Sequence, residues 1–151
     1  MKADLTRELK QAATSTFEML GFLLPEEELT EEQSEAPVTA SSRVRFRGPS
    51  SGVLEVEVAG GFLEELASNM LGLERDAVSG QVAQDALGEV TNVICGNALP
   101  ALGGAAAVFD LSAPETNKGP LPPSARPEDS IARVALGLDE GRAEITLRLY
   151  G

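Results

Sequence analysis

Residues 54–58 and 144–149 alternate apolar and polar side chains with a period of two, and no other feature of the chain limits its fold as strongly. Leu54, Val56 and Val58 are interleaved with Glu55 and Glu57, and Ile145, Leu147 and Leu149 with Glu144, Thr146 and Arg148. Successive side chains of a strand point to opposite faces of a sheet, so each stretch has one face to bury and one to wet. Each also has a hairpin partner. Val44 and Phe46 lead through a turn at 48–52 into the first, and 131–138 lead through a turn at 139–142 into the second. A covering layer is encoded as well: Leu5, Leu9, Ala12, Ala13, Thr16, Phe17 and Leu20 recur at helical spacing between a cap at Asp4 and a stop at Gly21. Phe62, Leu63, Leu66, Met70 and Leu71 make a short second helix, and residues 79–99 a third that Pro100 helps to end. With a further strand at 107–111, the order helix, two strands, two helices, three strands predicts an α+β fold. The short turns make its sheet largely antiparallel, with the helices packed on one face.

At 151 residues the chain has the size of one domain, 1–151, long enough to bury a substantial core. Residues 24–42 include Glu26, Glu27, Glu28, Glu31 and Glu32 and few large apolar side chains, the composition of a mobile acidic connection. Residues 113–130 hold Pro114, Pro120, Pro122, Pro123 and Pro127, too dense for regular structure, and read as a flexible loop. A formal net charge of −12 argues against nucleic acid, which is bound through clustered Lys and Arg; Arg43, Arg45 and Arg47 alternate along one strand and read as a solvated face. No run of about eighteen apolar residues occurs, and residues 1–8 lack the apolar core of a signal peptide, so the expectation is a cytoplasmic protein without membrane contact. There is no histidine, which removes Ser-His-Asp triads, histidine bases and histidine-rich metal sites. Cys95 is the one cysteine, read as an inert, partly buried helix residue in preference to a thiol at a site's edge. Gly103 and Gly104 are not followed by Gly-Lys-Ser/Thr, so no nucleotide-binding loop is expected.

The third helix carries the most informative polar residues. Glu89 and Asn92 sit roughly 60° apart around its axis, with Asp85 one turn before the pair and Gly96 one turn after. Val82, Ala83, Ala86, Leu87, Val90, Val93 and Ile94 form a separate stripe centred roughly 120° away, which packs and leaves the Glu/Asn face available. Such a pair on a wet face is, taken alone, usually no more than solvation. Asp85 and Glu89 would hold a cation poorly, being two carboxylates without further oxygen ligands. Asn97, on the edge of the stripe, is expected to be a buried amide satisfied by backbone.

Asp85, Gly88, Glu89, Asn92, Gly96 and Asn97 follow a fixed order: an Asp, then Gly-Glu-x-x-Asn, two apolar residues, a small residue and Gly-Asn. This run resembles the CheC/CheX/FliY family of chemotaxis phosphatases, whose signature is Glu-x-x-Asn on a surface helix, and within it the CheX branch. Looser matches at 66–72 and 109–114 extend the resemblance over residues 44–150. The CheC branch carries two such helices. Here the earlier helix reads Glu64, Glu65, Leu66, Ala67, Ser68, Asn69, and neither Glu has an Asn three residues on, leaving one candidate site per chain as in CheX. Ala98, Leu99 and Pro100 stand where many relatives have a longer polar tail.

The resemblance implies a CheC-like fold with the signature helix outside on the sheet, its Glu/Asn side exposed to a partner. It implies dephosphorylation of the phosphoaspartate of a CheY-like response regulator, with Glu89 paired to a regulator lysine and Mg2+ held in the regulator's own acidic pocket. This chain would then need no cofactor or metal of its own, and it would form a homodimer. The residue types suit that chemistry. An acyl phosphate is already reactive and needs a placed water more than a strong base. The Asn92 carboxamide offers a donor and an acceptor and orients water without changing protonation state. The Glu89 carboxylate is repelled by a phosphoryl group and serves better as an anchor. Gly96 lets the partner come close, and Asp85 borders the docking surface. The alternative is a non-catalytic receiver-binding or assembly module of the same fold.

Overall fold

Both hairpins form where the alternation places them, and both run longer than the alternation alone reveals. The computed structural model describes residues 2–104, 106–122, 128–139 and 141–150. In chain order its elements are α1 (Lys2–Gly21), α2 (Glu31–Glu35), β1 (Val38–Arg47), β2 (Gly52–Ala59), α3 (Phe62–Leu71), α4 (Gly80–Ala98), α5 (Pro100–Gly103), β3 (Asp110–Leu111), β4 (Glu115–Lys118), β5 (Glu128–Leu138) and β6 (Gly141–Tyr150). A 3-10 turn, Arg75–Ala77, precedes α4. The strands make one sheet in the order β3-β1-β2-β6-β5, with β4 beside β3 on the outer edge of β1. Every strand pairing among the described residues is antiparallel, as the short turns require.

Register explains the core. Val44, Leu54 and Leu147 fall in one row across the sheet, and Val56, Ile145 and Val134 in the next. All six are buried in the same apolar cluster as Leu9, Ala13 and Phe17 of α1 and Leu87, Val90 and Ile94 of α4. α1 lies over β5 and α4 over β1, so the two long helices cover the sheet side by side. α3 locks them together. Phe17 and Phe62 meet edge to face with ring centroids 6.3 Å apart, and Asn69 Nδ2 donates to the Gly21 carbonyl at 2.6 Å.

Several expectations need correction. The stretch 24–42 is not a featureless connection: it contains α2 and the first turns of β1. Thr30 and Gln33 form a reciprocal capping box, with Gln33 N–H on Thr30 Oγ1 at 3.1 Å and Thr30 N–H on Gln33 Oε1 at 2.8 Å. The buried Gln33 also donates to the Asp139 carbonyl at 2.8 Å, and Arg142 Nη1 donates to the carbonyls of Gln33 and Ala36 at 2.9 and 2.6 Å. Acidic composition concealed these ties. Asp4 lies in the first turn of α1 and does not cap it. The strand expected at 107–111 shrinks to Asp110–Leu111, because Phe109 turns inward against Phe46 at a centroid distance of 5.9 Å. Inside the proline-rich stretch 113–130, residues 115–118 pair with β1 and β5 begins at Glu128; residues 123–127 of that loop lie outside the described residues.

The outer face of the sheet is also less solvated than the alternation suggests. Arg47 is exposed, but Arg43 is buried and its guanidinium lies 3.5 Å from Glu55, which also receives Arg148 at 2.7 Å. The chain leaving β4 crosses this face. Ser41 Oγ donates to the Gly119 carbonyl at 2.7 Å, Arg43 Nη2 to the Pro122 carbonyl at 3.0 Å, and Leu121 N–H to Glu57 Oε2 at 3.1 Å. No helix among the described residues is long and apolar enough to cross a membrane.

Candidate functional site on α4

α4 starts where Ser79 Oγ accepts the Val82 N–H at 3.2 Å, and Pro100 opens α5 directly after it. Ala83, Ala86, Leu87, Val90 and Ile94 are buried as the stripe requires, while Val82 and Val93 at its margins are half-buried. Against this packed side the helix turns its remaining face outward. Glu89 is exposed and Asn92 half-buried, and neither side chain has a hydrogen bond or ion pair among the described residues. Two side chains with unused hydrogen-bonding capacity therefore project from one rigid, well-buried helix.

Asp85 and Gly96 flank them, both exposed. Asp85 is partly occupied, since Gln81 Nε2 donates to its Oδ1 at 2.8 Å. A Cβ added at Gly96 would meet nothing within 4 Å, so the protein's own packing does not demand glycine there. Glycine in a helix costs roughly 0.5–1 kcal/mol relative to alanine. Gly96→Ala should accordingly raise the melting temperature by about 1–4 °C, read by thermal denaturation. Gly96→Gln should fold as well and weaken any partner that needs the bare backbone.

The buried side of the helix settles other assignments. Cys95 is fully buried, and burial pushes its thiol up to about 12, so it stays protonated at neutral pH. A thiol reagent should leave the native protein unmodified and label it stoichiometrically once it is unfolded, as mass spectrometry would show. Thr91 Oγ1 is spent on the Leu87 carbonyl at 2.8 Å. Asn97 is a correction: it is exposed, at the margin of the packed stripe, while Cys95, Ala98 and Leu99 around it take the buried positions. In α3, the only Asn near Glu64 and Glu65 is Asn69, whose amide is bound to Gly21. No group of three or more Cys, Asp or Glu placed to hold a metal occurs among the described residues.

One feature escaped the sequence reading. Gly88, next to Glu89, is buried beneath the chain entering β4, and a Cβ there would lie 3.1 Å from Pro114 Cβ. The available signal was the glycine itself, because an interior helix glycine generally has a packing reason.

The sequence matches the family model "Chemotaxis phosphatase CheX" over residues 40–135, a stretch that runs from within β1 to within β5 and holds all of α4. The chain belongs to the CheX family. Solved structures show the same fold at low identity. The chemotaxis protein CheX from Vibrio vulnificus is 20% identical with a TM-score of 0.77, covering 99% of this chain and 98% of that one. A CheC-like superfamily protein from Shewanella sp. PV-4 is 22% identical with a TM-score of 0.71, covering 100% of both chains. A Borrelia burgdorferi CheX, solved as a CheX-CheY-BeF3-Mg2+ complex, is 18% identical with a TM-score of 0.68, covering 96% of this chain and 97% of that one. No curated protein matches the sequence. The α+β fold, an antiparallel sheet with helices packed on it, is the one these CheX and CheC-like structures share.

Proposed function

We propose that this CheX-family chain is a phosphatase for the phosphoaspartate of a CheY-like response regulator, with its site on the open face of α4. The observation that carries the reading is the adjacency of Glu89 and Asn92, exposed and half-buried, with no hydrogen bond or ion pair on either side chain among the described residues. Asn92 holds a water by its carboxamide and aims it at phosphorus, in line with the departing aspartyl oxygen. The water's oxygen forms the new bond to phosphorus as the acyl-phosphate bond breaks, releasing phosphate and the regulator's aspartate. Glu89 pairs with a regulator lysine and so fixes the approach. Asp85, steadied by Gln81, borders the docking surface, and Gly96 admits the partner close to the helix. Mg2+ belongs to the regulator in this scheme; among the described residues Asp85 and Glu89 have no third Cys, Asp or Glu placed to complete a cage. The protein works in the cytoplasm, where its partner is found, and pairs as a homodimer through an exposed sheet edge.

The test is substoichiometric protein mixed with candidate receiver domains phosphorylated by acetyl phosphate, following loss of phosphate. Multiple turnovers establish the phosphatase. A receiver that binds tightly yet keeps its phosphate at the uncatalysed rate would replace the enzyme by a non-catalytic binding or assembly module. Light scattering that returns a monomer at high concentration would remove the homodimer.

A further inference from the structure

One turn before Asn92, α4 is covered by a different element. A Cβ on Gly88 would lie 3.1 Å from Pro114 Cβ, 3.4 Å from Pro114 Cγ and 3.4 Å from Thr116 Cγ2, so the pyrrolidine ring rests on the bare backbone of α4. Asn92 follows one turn later, roughly 40° around the axis from Gly88 and on the side toward Glu89. Its half-buried carboxamide has no hydrogen-bond partner among the described residues, which leaves packing to limit its rotation. Pro114 itself is held at both ends. Before it, Ser112 N–H donates to the Arg45 carbonyl at 2.8 Å and Ser112 Oγ accepts the Arg45 N–H at 2.9 Å. After it, Glu115 enters the ladder opposite Arg43. Proline adds its own fixed φ, so the ring is a rigid body clamped to β1.

We propose that Pro114, seated on Gly88, is a positioning residue: it walls one side of Asn92 and keeps the carboxamide turned across the open face toward Glu89. The proposal rests on the phosphatase reading, since it assigns a function to the orientation of Asn92. A side chain that must aim a water loses rate steeply when misplaced, on the order of 10²-fold for 1 Å. Docking, which Glu89 and Gly96 govern, is untouched by the wall.

The experiment compares Pro114→Gly and, as an independent lever on the same seat, Gly88→Ala with the parent protein. Turnover is measured on a receiver phosphorylated with acetyl phosphate, affinity on the same receiver activated with BeF3 and Mg2+, and side-chain amide mobility of Asn92 by nitrogen-15 relaxation. Pro114→Gly should lower kcat about tenfold, leave Kd within about twofold, mobilise the Asn92 amide, and cause no further loss in an Asn92→Ala background. Unchanged kcat, or an equal loss of turnover in the Asn92→Ala background, overturns the proposal. Parent protein that binds receivers without turnover sinks the phosphatase reading instead, and the relaxation data then decide the wall: an Asn92 amide equally ordered in both proteins overturns it.

Discussion

Asn92→Ala should lower kcat for dephosphorylation by about 10²-fold, leaving a small measurable turnover and receiver affinity within about twofold. The reason is where the residue sits. Asn92 is half-buried on an otherwise well-packed helix, and its carboxamide makes no hydrogen bond among the described residues. Removing it deletes the group proposed to orient the water without disturbing Leu87, Val90 or Ile94 beneath. A thermal melt should show little change, which separates this loss from unfolding. Asn92→Asp supplies a sharper contrast: the shape is kept, but a negative charge is set beside a phosphoryl group and the donor is lost, so turnover should stay low. Retention of more than about half the parent kcat by Asn92→Ala would mean that another group places the water.

The second large effect belongs to Glu89. Glu89→Lys should weaken receiver binding by about 10²-fold or more, because a like-charge contact replaces an opposite-charge one and costs several kcal/mol. The residue is exposed and makes no ion pair or hydrogen bond among the described residues, so stability should hardly change. The defect should appear mainly in KM, shrink as salt screens the repulsion, and be relieved by the reciprocal Lys→Glu change on the receiver. Glu89→Lys that binds as the parent does would place the docking contact elsewhere, with Asp85 the next candidate to reverse.

The contrast between these two residues and Pro114 shows what the sequence made legible. Period-two stretches disclosed β2 and β6, and the apolar stripe of α4 disclosed which side of that helix packs, because burial pattern is a local property of the chain. Glu89 and Asn92 stood out because the run from Asp85 to Asn97 resembles the CheX signature, and three-residue spacing then sets both on one side of the helix. Contacts between distant segments had no such trace. Arg43 looks solvated until Glu55 and the carbonyl of Pro122 arrive to enclose it, and Pro114 reaches Gly88 only once β4 has paired with β1. α2 was missed for a different reason: a run of glutamates outweighed the Thr30 and Gln33 box, although that box was visible in the sequence.

The central seam of the sheet, where β2 pairs with β6 from Gly52↔Leu149 to Ala59↔Arg142, joins segments from opposite ends of the chain. The hairpins on either side of it close over short turns and can form quickly, whereas this seam must gather everything between, α4 included, before its ladder gains anything. The helix that bears Glu89 and Asn92 packs on α3, on β1 in the first hairpin, and on α1, which lies over β5 in the second. The site therefore depends on a long-range closure: if the seam opens while both hairpins persist, α4 loses the joint platform beneath it, and the rate at which that seam re-forms bounds how quickly the site can return after partial unfolding.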